Sequence, residues 1–95
     1  MYNVSISQLK QVMNNENLID IRGIEKFNNN HIPGAKHIIY EQLMLYPGKY
    51  LNPAIKYYIY CQKGIQSKKI CQILKNQGYS VANILGGYEA WILNE

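Results

Sequence analysis

The chain has 95 residues, 10 of them basic and 6 acidic, for a net charge of +4. That length fits one domain over residues 1–95, and 47% hydrophobic against 17% charged residues argues for a folded core and excludes disorder. Uncharged apolar runs such as Tyr57–Cys61 are a few residues long, against the about 20 a membrane helix needs, and no basic start leads into an apolar stretch after Met1, so neither a membrane span nor a secretory signal is expected.

Ser5-Ile6-Ser7-Gln8 places a glutamine three residues after a serine, the pattern of a capping box at a helix start. Ile6, Leu9 and Met13, with Val12 beside them, recur at helical spacing, and Asn14, Asn15 and Asn17 end the segment. Leu18–Ile21 reads as a short strand with Asp20 near its end, Glu25–Asn28 as one helical turn, and Ile32-Pro33-Gly34 as a turn. Ala35–Ile39 is strand-like, and Tyr40–Tyr46 is a short helix closed by Pro47-Gly48. After the turn at Asn52-Pro53, the aromatic and β-branched run Tyr57–Tyr60 predicts a strand leading into Cys61–Ser67. Ser67 is expected to cap a helix to about Gln77, with Ile70, Cys71, Ile73 and Leu74 on its apolar side and Gly78 at its stop. Val81–Leu85 is a final strand, broken by Gly86-Gly87, and Tyr88–Leu93 a last short helix. Alternating strands and helices predict an α/β layer fold with a mainly parallel sheet.

Nine of the ten basic residues are lysines, scattered except around Lys63, Lys68 and Lys69, and Arg22 is the one arginine. A nucleic-acid footprint would cluster them and favour arginine, so no nucleic-acid partner is expected. Two cysteines without a CxxC pair, and with His31 and His37 remote in sequence, argue against zinc or any other metal and for free thiols in a reducing cytoplasm.

The chemistry-bearing segment is the strand–loop–helix of Tyr57–Gln77. In a parallel sheet, ligands bind outside the carboxyl ends of strands, which is where Cys61 falls. Gly64 lets the loop curl so that its N–H groups point inward as a nest, and the positive end of the following helix faces the same point. All three effects favour an anion and the nucleophilic thiolate of Cys61, with Lys63 adding positive potential at the rim. A cysteine at a strand end is by default a small buried apolar residue; this context outweighs that default for Cys61 but not for Cys71, which lies on the apolar side of its helix. No general base adjoins Cys61, which disfavours peptide hydrolysis. Sulfur transfer needs only a thiolate, a good leaving group and an anion-stabilising loop.

On these residues the sequence resembles the single-domain rhodaneses, the thiosulfate sulfurtransferase family. Leu18–Arg22 with Glu25, Phe27 and His31–Ala35 is similar to the family's first signature, Tyr58–Cys61 with Gly64 and Ser67 to its active-site loop, and Gly78-Tyr79, Val81, Leu85–Gly87 and Ala90-Trp91 to its closing signature. The resemblance implies a five-stranded parallel sheet flanked by helices on both faces. It implies a persulfide on Cys61, a cradle formed by Gln62, Lys63, Gly64, Ile65, Gln66 and Ser67, no cofactor, and as partners a small-molecule sulfur donor and a thiol or cyanide acceptor, or a sulfur-relay protein. Asp20 and Arg22 are expected to form an ion pair and hydrogen-bond network shaping the edge of the site. His31 and His37 are expected to serve packing, and Tyr88 and Trp91 to seat the last helix.

Phosphatases and arsenate reductases on this fold have a loop one residue longer than the stretch Cys61–Gln66, so sulfur is favoured over phosphate or arsenate. Gln66 stands where the family often has arginine, which replaces a paired, charged contact to a sulfonate by a neutral amide. Weak thiosulfate use, or a protein or low-molecular-weight persulfide donor, is the expected consequence. The competing reading is a binding or regulatory module that kept the fold without efficient catalysis.

Overall fold

The computed structural model describes residues 3–12 and 17–94. The elements run β1 (Asn3–Val4), α1 (Ile6–Val12), β2 (Leu18–Asp20), α2 (Ile24–Asn29), β3 (Lys36–His37), α3 (Tyr40–Leu45), α4 (Pro47–Tyr50), β4 (Lys56–Tyr60), α5 (Ile65–Asn76), β5 (Ser80–Ile84) and α6 (Gly87–Leu93). The strands form one five-stranded sheet in the order β1-β5-β4-β2-β3, with every pairing parallel. The central strand β4 is registered through Ile59 to Ile19 of β2 and to Asn83 of β5. Its aromatic and β-branched residues suit a strand covered on both faces.

Two apolar layers enclose the sheet. On one face Ile6 and Leu9 of α1 and Tyr88 and Trp91 of α6 pack on Leu18, Tyr60, Ala82 and Ile84, with Phe27 of α2 against them. On the other, Leu43 of α3 and Ile70, Cys71 and Leu74 of α5 pack on Ile19, Ile59 and Val81. Burying one such side chain fully contributes about 1.5–3 kcal/mol.

The chain leaves β2 towards β3 through α2, and leaves β4 in the opposite direction, towards β5, through α5. The carboxyl ends of β2 and β4 therefore diverge side by side, the kind of crevice where α/β sheets bind ligands. Arg22 follows one of these ends and Cys61 the other.

The capping box is present: the Ser5 N–H donates to Gln8 Oε1 at 2.9 Å and the Gln8 N–H to Ser5 Oγ at 3.1 Å. Met13, Asn14 and Asn15, expected to continue and end α1, lie outside the described residues, and Val12 is half exposed. Three expectations need correction. The strand expected over Ala35–Ile39 narrows to Lys36–His37. Pro47-Gly48 does not merely close α3 but opens α4, because the fixed φ of proline suits a first helical position. The helix after Cys61 starts at Ile65, with Gly64 at its cap in the left-handed region (φ 91°), so Ser67 lies inside its first turn and does not cap it.

Candidate active site

The end of β4 carries Cys61 to the first turn of α5, and the loop between them closes on the sulfur. The Gly64 N–H donates to Cys61 Sγ at 3.1 Å and the Ser67 N–H at 3.3 Å. The first amides of a helix lack intrahelical acceptors; here the cysteine sulfur accepts, in the place of a capping side chain. Ser67 Oγ also lies 3.3 Å from Sγ, and the Ser67 hydroxyl donates to the carboxamide oxygen of Asn83 on β5. Asn83 Nδ2 in turn donates to Asn3 Oδ1 at 3.1 Å. Ser67 and Asn83 are both fully or almost fully buried, at 0% and 1% exposure.

The outside of the loop is held by α6. The Tyr88 N–H donates to the Cys61 carbonyl at 2.9 Å and the Glu89 N–H to the Gln62 carbonyl at 3.1 Å. Two glycines permit this approach. A Cβ at Gly64 would meet the Gly86 nitrogen at 2.9 Å, and one at Gly87 would meet the Cys61 carbonyl oxygen at 2.3 Å. Both also have positive φ, which disfavours any residue with a Cβ.

Asp20 and Arg22 stand at the neighbouring strand end. Arg22 Nη2 pairs with Asp20 Oδ2 at 2.8 Å, with both side chains buried, and Arg22 Nε also faces both carboxylate oxygens. The same guanidinium donates to the Asn30 carbonyl and, at 3.1 Å, to Gln62 Oε1 in the loop. It lies 4.2 Å from the Tyr88 ring centroid, in cation–π range. Burial works against its charge, but the hydrogen bonds and charge of Asp20 outweigh burial and raise the guanidinium above its ordinary value. Burial, then the hydrogen bond and charge of Asp20, push the Tyr60 phenol up strongly, so it stays neutral; its oxygen accepts the Ile32 N–H at 3.1 Å.

A cavity of about 340 Å³ opens beside Cys61, lined by Lys26, Gln62, Lys63, Ile65 and Gln66. A second of about 430 Å³ adjoins it and shares Lys26, Gln62 and Gln66, with Arg22, Gly23, Ile24 and Glu25 completing its wall. Of the expected loop residues, Gly64 and Ser67 reach the sulfur through their N–H groups, while Lys63, Ile65 and Gln66 form the mouth. Gln62 looks sideways, to Arg22 and, through Nε2 at 3.4 Å, to Glu89. Lys26 on α2 is a member of the mouth that the sequence did not announce; helix packing across the crevice brings it there and no local pattern marks it. Asn83 was likewise unmarked, although an asparagine inside the apolar run Val81–Leu85 is a signal that could have found it, since a buried amide needs partners.

The remaining polar residues serve structure. His31 Nδ1–H donates to the Phe27 carbonyl at 2.8 Å and its ring stacks on Phe27. His37 Nε2–H donates to the Arg22 carbonyl at 2.6 Å. Cys71 is buried within the layer under α5; burial, then the neighbouring Cys61, push its thiol up to about 12, so it is no nucleophile near neutral pH. Both cysteines are free. Among the described residues no group of three or more His, Cys, Asp and Glu side chains could hold a metal ion, and no helix is long and apolar enough to cross a membrane.

The sequence matches the family described as rhodanese-like domain over residues 5–94. It is 33% identical over 93 residues to the thiosulfate sulfurtransferase GlpE of Shewanella oneidensis, covering 93% of this chain and 89% of that one. It is 30% identical over 92 residues to the putative sulfur carrier protein YrkF of Bacillus subtilis, covering 93% of this chain and 49% of the relative, so the chain spans about half that relative's length. Among solved structures, a rhodanese-like domain protein from Staphylococcus aureus superposes with a TM-score of 0.84 at 28% identity, covering 96% of this chain and 91% of that one. A rhodanese-related protein from Thermoplasma volcanium gives 0.89 at 20% identity, covering 99% and 93%, a likeness of fold. The match takes in both strand ends of the crevice and the helix that closes the loop, and the chain belongs to the rhodanese-like domain family.

Proposed function

We propose that this protein is a sulfurtransferase that carries sulfane sulfur as a persulfide on Cys61. The observation that carries the reading is the pair of N–H groups, from Gly64 and Ser67, that meet at the Cys61 sulfur inside a loop closed from behind by α6. Hydrogen bonds to an ionised acceptor are about twice as strong as neutral ones, so the two N–H groups are suited to hold the charge of a persulfide formed there. The relatives named as a thiosulfate sulfurtransferase and a putative sulfur carrier support sulfur as the cargo.

The steps balance without a cofactor. The Cys61 thiolate attacks the outer sulfur of thiosulfate, a new S–S bond forms, the old one breaks, and sulfite leaves with the electron pair. An acceptor thiolate or cyanide then attacks the outer sulfur of the persulfide and returns the Cys61 thiolate. Lys63 and Lys26 at the mouth supply positive charge to an anionic donor. Gln66 offers no charge there, so thiosulfate is a weak donor and an organic or protein persulfide a better one. Asp20 and Arg22 support the site by holding Gln62. We place the protein in the cytoplasm, a reducing compartment that keeps both thiols free.

Intact-protein mass spectrometry after incubation with thiosulfate, and separately with glutathione persulfide, tests this. A gain of one sulfur atom, absent in Cys61→Ser and removed by a thiol, is expected. No gain with either donor from reduced, folded protein refutes it and favours the second reading, a binding module of the same fold, for which the neutral Gln66 in the loop mouth is the motivating observation.

A further inference from the structure

The reactive-sulfur cradle does not end at Ser67. Asn83 lies on the face of β5 that packs under α5, an amide in a layer made of Ile19, Ile59, Ile70 and Val81. A buried amide without partners is costly, and this one has two: the Ser67 hydroxyl and the Asn3 side chain. Cys61 Sγ, Ser67, Asn83 and Asn3 thus form one hydrogen-bonded file from the sulfur to the partly buried Asn3 at the edge strand.

The file has a direction. A carboxamide oxygen cannot donate, so the Ser67 proton points to Asn83 Oδ1, and Ser67 Oγ presents lone pairs to Cys61 Sγ. That suits a thiol, whose S–H donates to Ser67 Oγ. It does not suit a thiolate or persulfide, which would face oxygen lone pairs. Turning the Ser67 hydroxyl towards the sulfur corrects this, but leaves Asn83 Oδ1 without a donor in a buried apolar layer. Rotating the Asn83 amide by half a turn restores the balance: Nδ2 then donates to Ser67 Oγ, and Oδ1 accepts from Nδ2 of an Asn3 side chain that has turned likewise.

We propose that Asn83 is a positioning residue for Cys61: through the Ser67 hydroxyl it sets whether the sulfur faces a hydrogen-bond acceptor or a donor, and its amide reverses when the sulfur becomes anionic. On ionisation the Cys61 proton leaves to water, and the file exchanges orientation without a net transfer of protons. This rests on the sulfur-transfer reading for its purpose, but its test does not need sulfur uptake.

The test is the rate of Cys61 alkylation by iodoacetamide, followed as a pH profile across the neutral range in four proteins: wild type, Ser67→Ala, Asn83→Leu and the double variant, each with Cys71→Ala. Leucine keeps the branched four-atom skeleton of the asparagine side chain without its polar atoms, as the apolar layer requires. It removes the neutral acceptor that holds the Ser67 hydroxyl away from the thiol and with it the amide reversal that ionisation requires, so Asn83→Leu is expected to speed alkylation at neutral pH by about twofold to tenfold, the worth of one neutral hydrogen bond. Ser67→Ala is expected to slow it, and in the double variant the leucine effect vanishes. Slower alkylation in a folded Asn83→Leu protein, or the same leucine effect with and without Ser67, overturns the proposal. Should the leucine variant not fold, NMR of the wild-type Asn83 side-chain amide through the thiol-to-thiolate transition decides: a shift that Ser67→Ala abolishes is expected, and an unmoved resonance overturns it. A protein that passes these tests yet takes up no sulfur refutes the sulfur-transfer reading alone.

Discussion

Gly87→Ala tests how the loop around Cys61 is held. An added Cβ would sit 2.3 Å from the Cys61 carbonyl oxygen, 2.8 Å from the Gln62 carbonyl oxygen and 2.8 Å from the Gly64 nitrogen. All three are backbone atoms and cannot rotate away, so α6 and the loop must part. The Tyr88 to Cys61 and Glu89 to Gln62 hydrogen bonds then stretch or break, each worth about 0.5–1.5 kcal/mol. The φ of +61° adds about 1–2 kcal/mol for an L-residue in the left-handed region. The sum is about 2–5 kcal/mol, out of the about 5–15 kcal/mol by which domains are stable. Gly78→Ala is the control: its φ is +98° but its Cβ meets nothing within 4 Å, so it carries only the backbone strain of about 1–2 kcal/mol. Both variants gain the same small benefit from a stiffer unfolded chain, which cancels in the comparison. Urea denaturation read by Trp91 fluorescence gives the two stabilities, and sulfur uptake by mass spectrometry the function. The expected result is a larger loss of stability and of uptake in Gly87→Ala, with uptake intact in Gly78→Ala. Equal midpoints, with full uptake in both, would refute the claim that backbone contact between α6 and the loop shapes the site.

Gln66→Arg is expected to raise thiosulfate turnover by about tenfold to a hundredfold, the worth of a charge-assisted hydrogen bond; unchanged kcat/KM would show that this contact is not limiting. Lys26→Gln should lower uptake from an anionic donor, and the difference from wild type should shrink as salt screens the charge; a salt-independent difference would point to lost packing. Arg22→Met leaves the buried Asp20 carboxylate unpaired and should cost about 3–5 kcal/mol, read as a lowered urea midpoint. The Cys71 thiol, pushed up from 9.0 to about 12 by burial, favours the folded state fully below pH 9 and loses that effect as the pH rises towards 12. The drop is about 1.4 kcal/mol per pH unit, so the wild type should lose stability faster than Cys71→Ala across that window; parallel curves would count against the burial assignment.

How far the sequence revealed this depended on whether the cause was local. The Ser5–Gln8 box, the Tyr57–Tyr60 strand and the stop at Gly78 follow from neighbouring residues, and so did the placing of Cys61 at a strand end before a glycine loop. β1 was not legible, because two residues have no periodicity and Asn3–Val4 becomes a strand only by pairing with β5. The start of α5 was misplaced because Ser67 looks like a cap, whereas Gly64 turns the chain earlier and the cysteine sulfur takes the free amide. Lys26 and Asn83 join the site across elements, from α2 and β5, so their parts in it are set by sheet order and helix packing.

The same dependence on distant elements explains why the loop needs α6 at all. A peptide unit is planar, with its carbonyl and its N–H pointing opposite ways. When the Tyr88 and Glu89 N–H groups draw the Cys61 and Gln62 carbonyls towards α6, the N–H groups of Gln62 and Lys63, which belong to those same peptide units, must point away from α6. A strand end and a helix start alone would leave those two planes free to rotate in water. Anchored from behind, they are oriented before any ligand arrives, and preorganised dipoles need no reorganisation when charge develops on the sulfur. The anchoring requires the start of α6 to approach the loop backbone more closely than any Cβ permits. That is the physical reason the glycine at position 87 and the cysteine at position 61, 26 residues apart in the sequence, form one site.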